Sequence, residues 1–300
     1  CWILHFVQND GLRRFAVFSK MKFTHSLIVI VFTLLAVAAP AAEIRVVGSD
    51  LLGEGFSRAV GEFTRQNDTP VKLDLRGTRP GVDALEAGRA DVGIFLLPAA
   101  ETPPAGVVVS RIMGYHVTVV VVPTASPLTQ ITVAQLRVIF GEVGQKERTP
   151  LAVSPQAGLA WPLFQRIILQ DAAPKAALGF SPSGAALAQR LLAVENSIAV
   201  AGIAAAGGRL RGLALAAGPT EPAYLPTPEN VHAGAYPLRL ALYVSFPREK
   251  AQELQRFLKF LLSDETAAAL APADFVPLPV GVRNQLVFEI EEMRQGAGVM

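Results

Sequence analysis

Four short segments of the 300-residue chain carry residue types able to hold a small anion. Gly48-Ser49-Asp50, Gly77-Thr78-Arg79-Pro80-Gly81, Ser154-Pro155-Gln156-Ala157-Gly158 and Ser181-Pro182-Ser183-Gly184 each stand at the start of a helical pattern. A helix N-terminus presents unpaired N–H donors and about half a unit of positive charge. Ser and Thr hydroxyls beside it can donate to an oxyanion, and glycine lets the backbone approach closely. Several such ends converging on one cleft would bind a small oxyanion or carboxylate without a metal. The candidate ligand residues are Ser49, Asp50, Thr78, Arg79, Gly81, Ser154 and Gly158, with Ser183 behind them. Arg79 could grip a carboxylate or phosphate through two parallel hydrogen bonds; a solvated surface arginine fits the position equally well. Ser, Thr and Asp are also ordinary N-caps, and any one junction alone is more often a cap than a ligand site.

Little else in the chain could do chemistry. A hydrolase needs an activated nucleophile within reach of a base, and neither Gly-x-Ser-x-Gly nor His-Glu-x-x-His occurs. Beyond residue 42 only His116 and His232 remain, one at a strand start and one in a Pro/Gly-rich loop, and both read as structural. Trp161 and Phe164 follow Gly158 at helical spacing and read as core; Arg209 and Arg211 flank a Gly-rich turn and read as surface. No catalytic residue, metal site or cofactor is expected, and the chain reads as a binding protein rather than an enzyme.

The elements that would position the junctions alternate along the chain. Strand candidates are Ile44–Val47, Val71–Leu75, Val92–Leu96, Val117–Val122, Ala199–Ile203, Leu213–Ala217 and Leu240–Val244, mostly continuous apolar runs of the kind found in parallel strands covered on both faces. Phe56, Val60 and Phe63 form one helical stripe; Leu254, Phe257, Leu258, Leu261 and Leu262 form another. The alternation predicts an α/β fold. Pro/Gly-rich stretches at 98–106 and 218–237 bracket a central block, so the chain is expected to leave a first lobe and later return to it.

The front end reads as an export signal. Lys22 follows Met21, an apolar run from Leu27 to Ala39 is broken only by Thr33, and small residues at Ala36–Ala38 and Ala39–Ala41 offer cleavage sites. Residues 1–20 read as upstream of the true start and 21–42 as a cleaved signal peptide, too short in its apolar run to span a bilayer. The chain holds 27 Lys plus Arg against 25 Asp plus Glu. Arg13, Arg14, Lys20 and Lys22, but only Asp10 among the acids, precede residue 43, so the remainder is nearly neutral and gives no electrostatic footprint for nucleic acid. The one cysteine, Cys1, would be lost on cleavage, excluding disulfides, thiolate metal sites and lipid attachment. The mean hydropathy of +0.38 then reflects an Ala- and Val-rich core.

An ordered series of motifs resembles the phosphate-binding components of ABC phosphate transporters, periplasmic binding proteins of type II. Val46-Val47-Gly48-Ser49-Asp50 looks like their first strand and binding turn. Gly77-Thr78-Arg79-Pro80-Gly81-Val82-Asp83-Ala84-Leu85, followed by Gly88-Arg89-Ala90-Asp91-Val92-Gly93, is similar to their second loop. Val117–Pro123, Leu128-Thr129 and Ala134–Gly141 match the second lobe; Pro226–Val231, Gly234-Ala235-Tyr236-Pro237-Leu238 and Phe275–Pro279 match the return. The resemblance runs from Ile44 to Pro279 and implies a two-lobed α/β fold, each lobe a mixed, mostly parallel sheet flanked by helices, with a hinge between. Expected boundaries are 43–112 and 238–300 for lobe one and 113–237 for lobe two. The implied role is a monomeric periplasmic protein delivering a small inorganic or carboxylate anion, phosphate foremost, from an interlobe cleft to an inner-membrane ABC permease. The chain departs from the family at ligand positions: Ile94–Pro98 replaces a Ser-rich or Asp-containing loop, Ser154–Leu159 lacks the usual Arg and Thr, and Val200-Ala201-Gly202-Ile203 stands for Ala-Ile-Gly-Tyr. The alternative is a diverged member with an altered or lost ligand, acting as sensor or protein partner.

Overall fold

A computed structural model describes residues 43–98, 101–141, 148–174 and 177–293. The expected upstream segment and signal peptide lie outside the described residues. The chain runs through β1 (Ile44–Gly48), α1 (Gly53–Asn67), β2 (Val71–Asp74), α2 (Thr78–Glu86), β3 (Val92–Leu97) and the long β4 (Val108–Pro123). It continues through β5 (Gln130–Thr132), α3 (Val133–Phe140), β6 (Thr149–Val153), α4 (Ala160–Phe164), β7 (Gly179–Ser181), α5 (Gly184–Ala193) and β8 (Ser197–Gly202). After β9 (Leu210–Gly212), β10 (Ala214–Ala216), β11 (Ala223–Tyr224) and α6 (Pro228–Ala233) come β12 (Arg239–Pro247), α7 (Ala251–Leu261), α8 (Asp264–Leu270), β13 (Phe275–Pro277) and α9 (Val280–Glu292).

The main sheet has the order β2-β1-β3-β12-β4-β8-β6-β7. Its two outer groups are parallel: β1 with β2 and β3, and β6 with β7 and β8. The centre is antiparallel, β12 with β3 and β4, and β4 with β8. Val117–Val122, apolar apart from Thr118 and of the kind expected in parallel strands, is thus the second half of an antiparallel strand that also takes in Val108–His116. A continuous apolar run reports burial on both faces, not strand direction. β3 shows the same burial: Val92, Ile94 and Leu96 face the core beneath α1, and Phe95 and Leu97 face a smaller cluster with Leu85 of α2.

Two large cores sit on either side of the centre. One joins Phe56, Val60 and Phe63 of α1 to Leu254, Phe257, Leu258 and Leu261 of α7, the two stripes read from sequence. The other gathers β4 beyond Tyr115 with β6, β8, Trp161, Phe164 and Leu187. The expected boundary at 112/113 falls within β4, whose Met113 packs in the first core and whose Tyr115 packs in the second. Val276 and Leu278 also pack in the second core, so the C-terminal segment touches both. The Tyr-Pro-Leu return has a physical purpose: Tyr236 is fully buried, its hydroxyl donates to the Thr118 carbonyl at 3.1 Å, and the Leu238 carbonyl accepts from Thr118 N at 3.0 Å. The segment is thereby pinned to β4 before β12 begins.

Candidate functional site

The first two junctions meet. Ser49 is 2% exposed; its N–H donates to the Ile94 carbonyl at 2.9 Å and its hydroxyl accepts from Leu51 N at 3.2 Å. Asp50 opens a 3-10 turn and is exposed. Gly77 caps α2 and donates from its N–H to the Gly48 carbonyl at 2.9 Å. Gly81 lies so close to Gly48 that a Cβ there would stand 3.1 Å from the Gly48 Cα and 2.9 Å from the Phe95 ring. Glycine at 81 is therefore required by the approach of α2 to the end of β1. The Thr78 hydroxyl lies 3.3 Å from Leu96 N and 3.4 Å from Leu96 O, so it bridges to β3. Arg79 is exposed and takes part in no ion pair among the described residues.

The third and fourth junctions form a second group. Ser154 caps a 3-10 turn, accepting from Gln156 N at 3.4 Å, and its hydroxyl bonds the Gln156 side chain. Ser183 caps α5 through Ala186 N at 3.2 Å. Gly158, Ala160, Gly184 and Gly202 line one cavity of about 430 Å³. Ser49, Asp50, Thr78, Arg79, Gly81 and Ser154 do not line it. Among the described residues no hydrogen bond or ion pair joins the first group to the second.

Asp274, which sequence reasoning missed, is the one ionisable residue lining that cavity among the described residues. It stands in the left-handed region at φ 68°, and its carboxylate accepts from Ala204 N at 2.9 Å. Burial pushes its carboxyl up, against the lowering effect of that hydrogen bond. The carboxylate covers Gly202 so closely that a Cβ at 202 would fall 1.8 Å from Oδ2. A protein carboxylate thus already occupies the backbone donor after β8. The only sequence signal was Asp274 itself after Ala271-Pro272-Ala273, a pattern that could mark a turn but not its distant acceptor.

Other side chains sort by their contacts. Trp161 and Phe164 are core, with Trp161 3% exposed. His116 is 4% exposed, edge-on to Phe275, with no partner for Nδ1; burial lowers its pKa to about 4. His232 Nδ1 lies 3.1 Å from the Tyr115 hydroxyl. Arg209 is exposed, as read. Arg211 corrects the surface reading: it is half-buried, donating from Nη2 to the carbonyls of Ser126 at 2.5 Å and Leu128 at 2.8 Å. Those carbonyls belong to a loop that the Gly207-Gly208 turn brings alongside, a long-range proximity with no trace in local spacing. No group of metal-ligating side chains occurs among the described residues, and no described helix is long and apolar enough to cross a membrane.

Parallel strand groups flanking an antiparallel centre, with helix starts gathered at strand ends, define a two-lobed α/β fold of the periplasmic-binding-protein kind. The profile of the PBP superfamily domain matches residues 36–265, and the chain belongs to that superfamily. Among solved structures, a possible phosphate binding protein from Planctomyces limnophilus superposes with a TM-score of 0.64 at 19% identity, covering 85% of this chain and 99% of its own. PstS from Borrelia burgdorferi gives 0.64 at 15% identity, over 79% of this chain and 99% of its own. An ABC-type phosphate transport receptor from Vibrio cholerae gives 0.60 at 15% identity, over 79% of this chain and 100% of its own. No curated protein matches the sequence.

Proposed function

We propose that this chain is an exported solute-binding protein that holds a small oxyanion, phosphate foremost, for ABC-type uptake. The observation that carries the reading is the meeting of the first two junctions: the Gly77 amide bonds the Gly48 carbonyl and Gly81 packs on Gly48. On this reading Ser49, Asp50, Thr78 and Arg79, whose guanidinium has no ion-pair partner among the described residues, serve an anion at the start of α2, where helix N–H donors and the dipole favour it. Asp50 adds a discriminator, since a carboxylate repels a fully deprotonated oxyanion but accepts a hydrogen bond from the P–OH of monohydrogen phosphate. The solved structures named above support phosphate as the first ligand to test. Hydrogen bonds to charged groups contribute about 1.5–3 kcal/mol each. With the family's second-lobe Arg and Thr missing, phosphate should bind two or more orders of magnitude more weakly than at a full site, unless Arg79 compensates. Calorimetry with phosphate, sulfate and small carboxylates decides the reading. Arg79→Ala should cost at least about tenfold in phosphate affinity; undiminished binding would show the site assignment wrong.

A second reading, a diverged binding fold acting as sensor or partner, draws on the hydroxyls already engaged at Thr78 and Ser154 and on Asp274 at the second cavity. It takes over if no anion binds. Export is read from the segment Met21–Ala42, and the mature chain should begin near Ala39 or Ala42. Intact mass of the periplasmic fraction checks this, and a mass retaining Leu27 would refute it.

A further inference from the structure

We propose a second ligand site, for a small monocarboxylate with a compact apolar body, in the cavity between the helix following Gly158 and the ends of β3 and β12. The cavity measures about 440 Å³, within the range of small-molecule pockets. Pro98, Leu163, Ile167 and Leu240 give it apolar walls, and Arg166 and Arg239 are the only ionisable residues that line it among the described residues. Two cations without a lining acid set the sign of the occupant.

Arg239 is the anchor. It is half-buried, and its Nη1 donates to the last carbonyls of α6, Val231 and His232, the latter at 2.9 Å. Its guanidinium lies 4.9 Å from the Tyr115 ring centroid. Carbonyl dipoles and an aromatic face fix the group's position, yet no acid pairs with it among the described residues. A partly desolvated, prepositioned guanidinium with donors to spare is a carboxylate receptor. Arg166, exposed and one helical turn beyond Leu163, supplies a second donor at the rim and is likewise unpaired among the described residues.

The helix supports the same conclusion. Leu159, Pro162, Leu163, Arg166 and Ile167 line the cavity at i, i+3, i+4, i+7 and i+8, so one whole face of α4 and its continuation is turned to it. That continuation, Gln165–Leu169, is a π turn, a widening that recurs at functional sites. Inorganic phosphate would leave the apolar walls uncovered, and an amine would face two like charges. A compact hydrocarbon body bearing one carboxylate satisfies both features. The cavity takes in Pro98 and Leu159, which end the two segments standing at the family's ligand loops, but none of Ser49, Asp50, Thr78, Arg79, Gly81, Ser154 or Gly158, and Arg79→Ala tells the two sites apart.

Calorimetry on the purified chain tests the proposal, with benzoate and hexanoate as probes and benzamide and hexanamide as uncharged isosteres. At least one carboxylate should bind with a dissociation constant below about 1 mM, and its amide should bind at least about tenfold more weakly. Arg166→Glu, on an exposed helix position, should keep the native melting profile and weaken the carboxylate by about tenfold or more. Arg239→Gln should weaken it further wherever it folds, and Leu163→Trp, which fills the cavity, serves as an independent block. No binding of either carboxylate overturns the proposal. So does binding unchanged in both Arg166→Glu and Leu163→Trp, or binding lost in Arg79→Ala, which would assign the carboxylate to the oxyanion site.

Discussion

His116 illustrates how burial alone can set a protein's pH response. Its ring packs edge-on against Phe275, Nδ1 has no partner, and desolvation lowers its pKa to about 4 from an ordinary 6.5. The unfolded imidazole therefore binds a proton at a pH where the folded one does not. Its contribution to stability is complete above pH 6.5 and is lost progressively as pH falls towards 4, by up to about 3 kcal/mol. Asp274 works in the opposite sense, because a raised carboxyl favours the fold more as pH falls. The comparison must therefore be between wild type and His116→Phe. Urea unfolding at pH 7, 5.5 and 4.5 should show a shallower loss in the variant; parallel pH dependences would mean that His116 finds a partner in solution. Asp274 also explains Gly202, where only the absence of a side chain leaves room for the carboxylate to reach Ala204.

The strands and helices are tied by one buried acid. Asp91, 5% exposed at the entry to β3, accepts from Arg45 N at 2.8 Å, from Arg45 Nε and Nη2 at 2.9 Å, and from Lys250 Nζ. It links β1 and β3 to the turn that starts α7. Burial pushes its carboxyl up, but the hydrogen bonds from Arg45 and Lys250 outweigh burial and hold it well below the usual carboxylate range. A depressed carboxylate stabilises above its unfolded pKa, about 3.9, and that stability disappears as pH falls further. Asp91→Asn should lower stability at pH 7 by about 2 kcal/mol, less than for a fully buried pair because Arg45 and Lys250 are partly solvated. Denaturant midpoints measure it, and an unchanged midpoint would mean the network merely breaks even against desolvation. β4 is the other organising element. The pairing with β12 slips by one residue between Leu242 and Tyr243, a bulge that bends the strand near the passage from one core to the other.

That passage is where the molecule should flex. β4 crosses between the cores and the return to β12 crosses back beside it, so two neighbouring strands connect the proposed lobes of 43–112 with 238–300 and of 113–237. Hinges are short segments at element ends that absorb backbone rotation. We expect an anion that bridges the lobes to draw them together, lowering the radius of gyration measured by X-ray scattering on addition of phosphate at saturating concentration. Binding seen by calorimetry with no change in scattering would place the ligand on one lobe alone. Val276 and Leu278 pack in the second core, so the C-terminal segment should take part in that motion.

Local pattern determined much of this protein. The stripes Phe56-Val60-Phe63 and Leu254-Phe257-Leu258-Leu261 fixed two helices and their buried faces, because helical period and apolarity act over a single turn. Apolar runs located β1, β2, β3 and β12, and the caps at Ser49, Ser154 and Ser183 lay where hydroxyls meet helix starts. Strand direction, the length of β4 and the assignment of Arg211 required the tertiary structure, since burial and charge look the same in sequence whichever partner supplies them. The candidate sites divide likewise. Glycine at 48, 77 and 81 announced a close backbone approach, but which junctions meet depends on long-range packing. The carboxylate of Asp274 over Gly202, 72 positions away in sequence, and the guanidinium of Arg239 beneath α6 became visible only when the fold brought their partners to them.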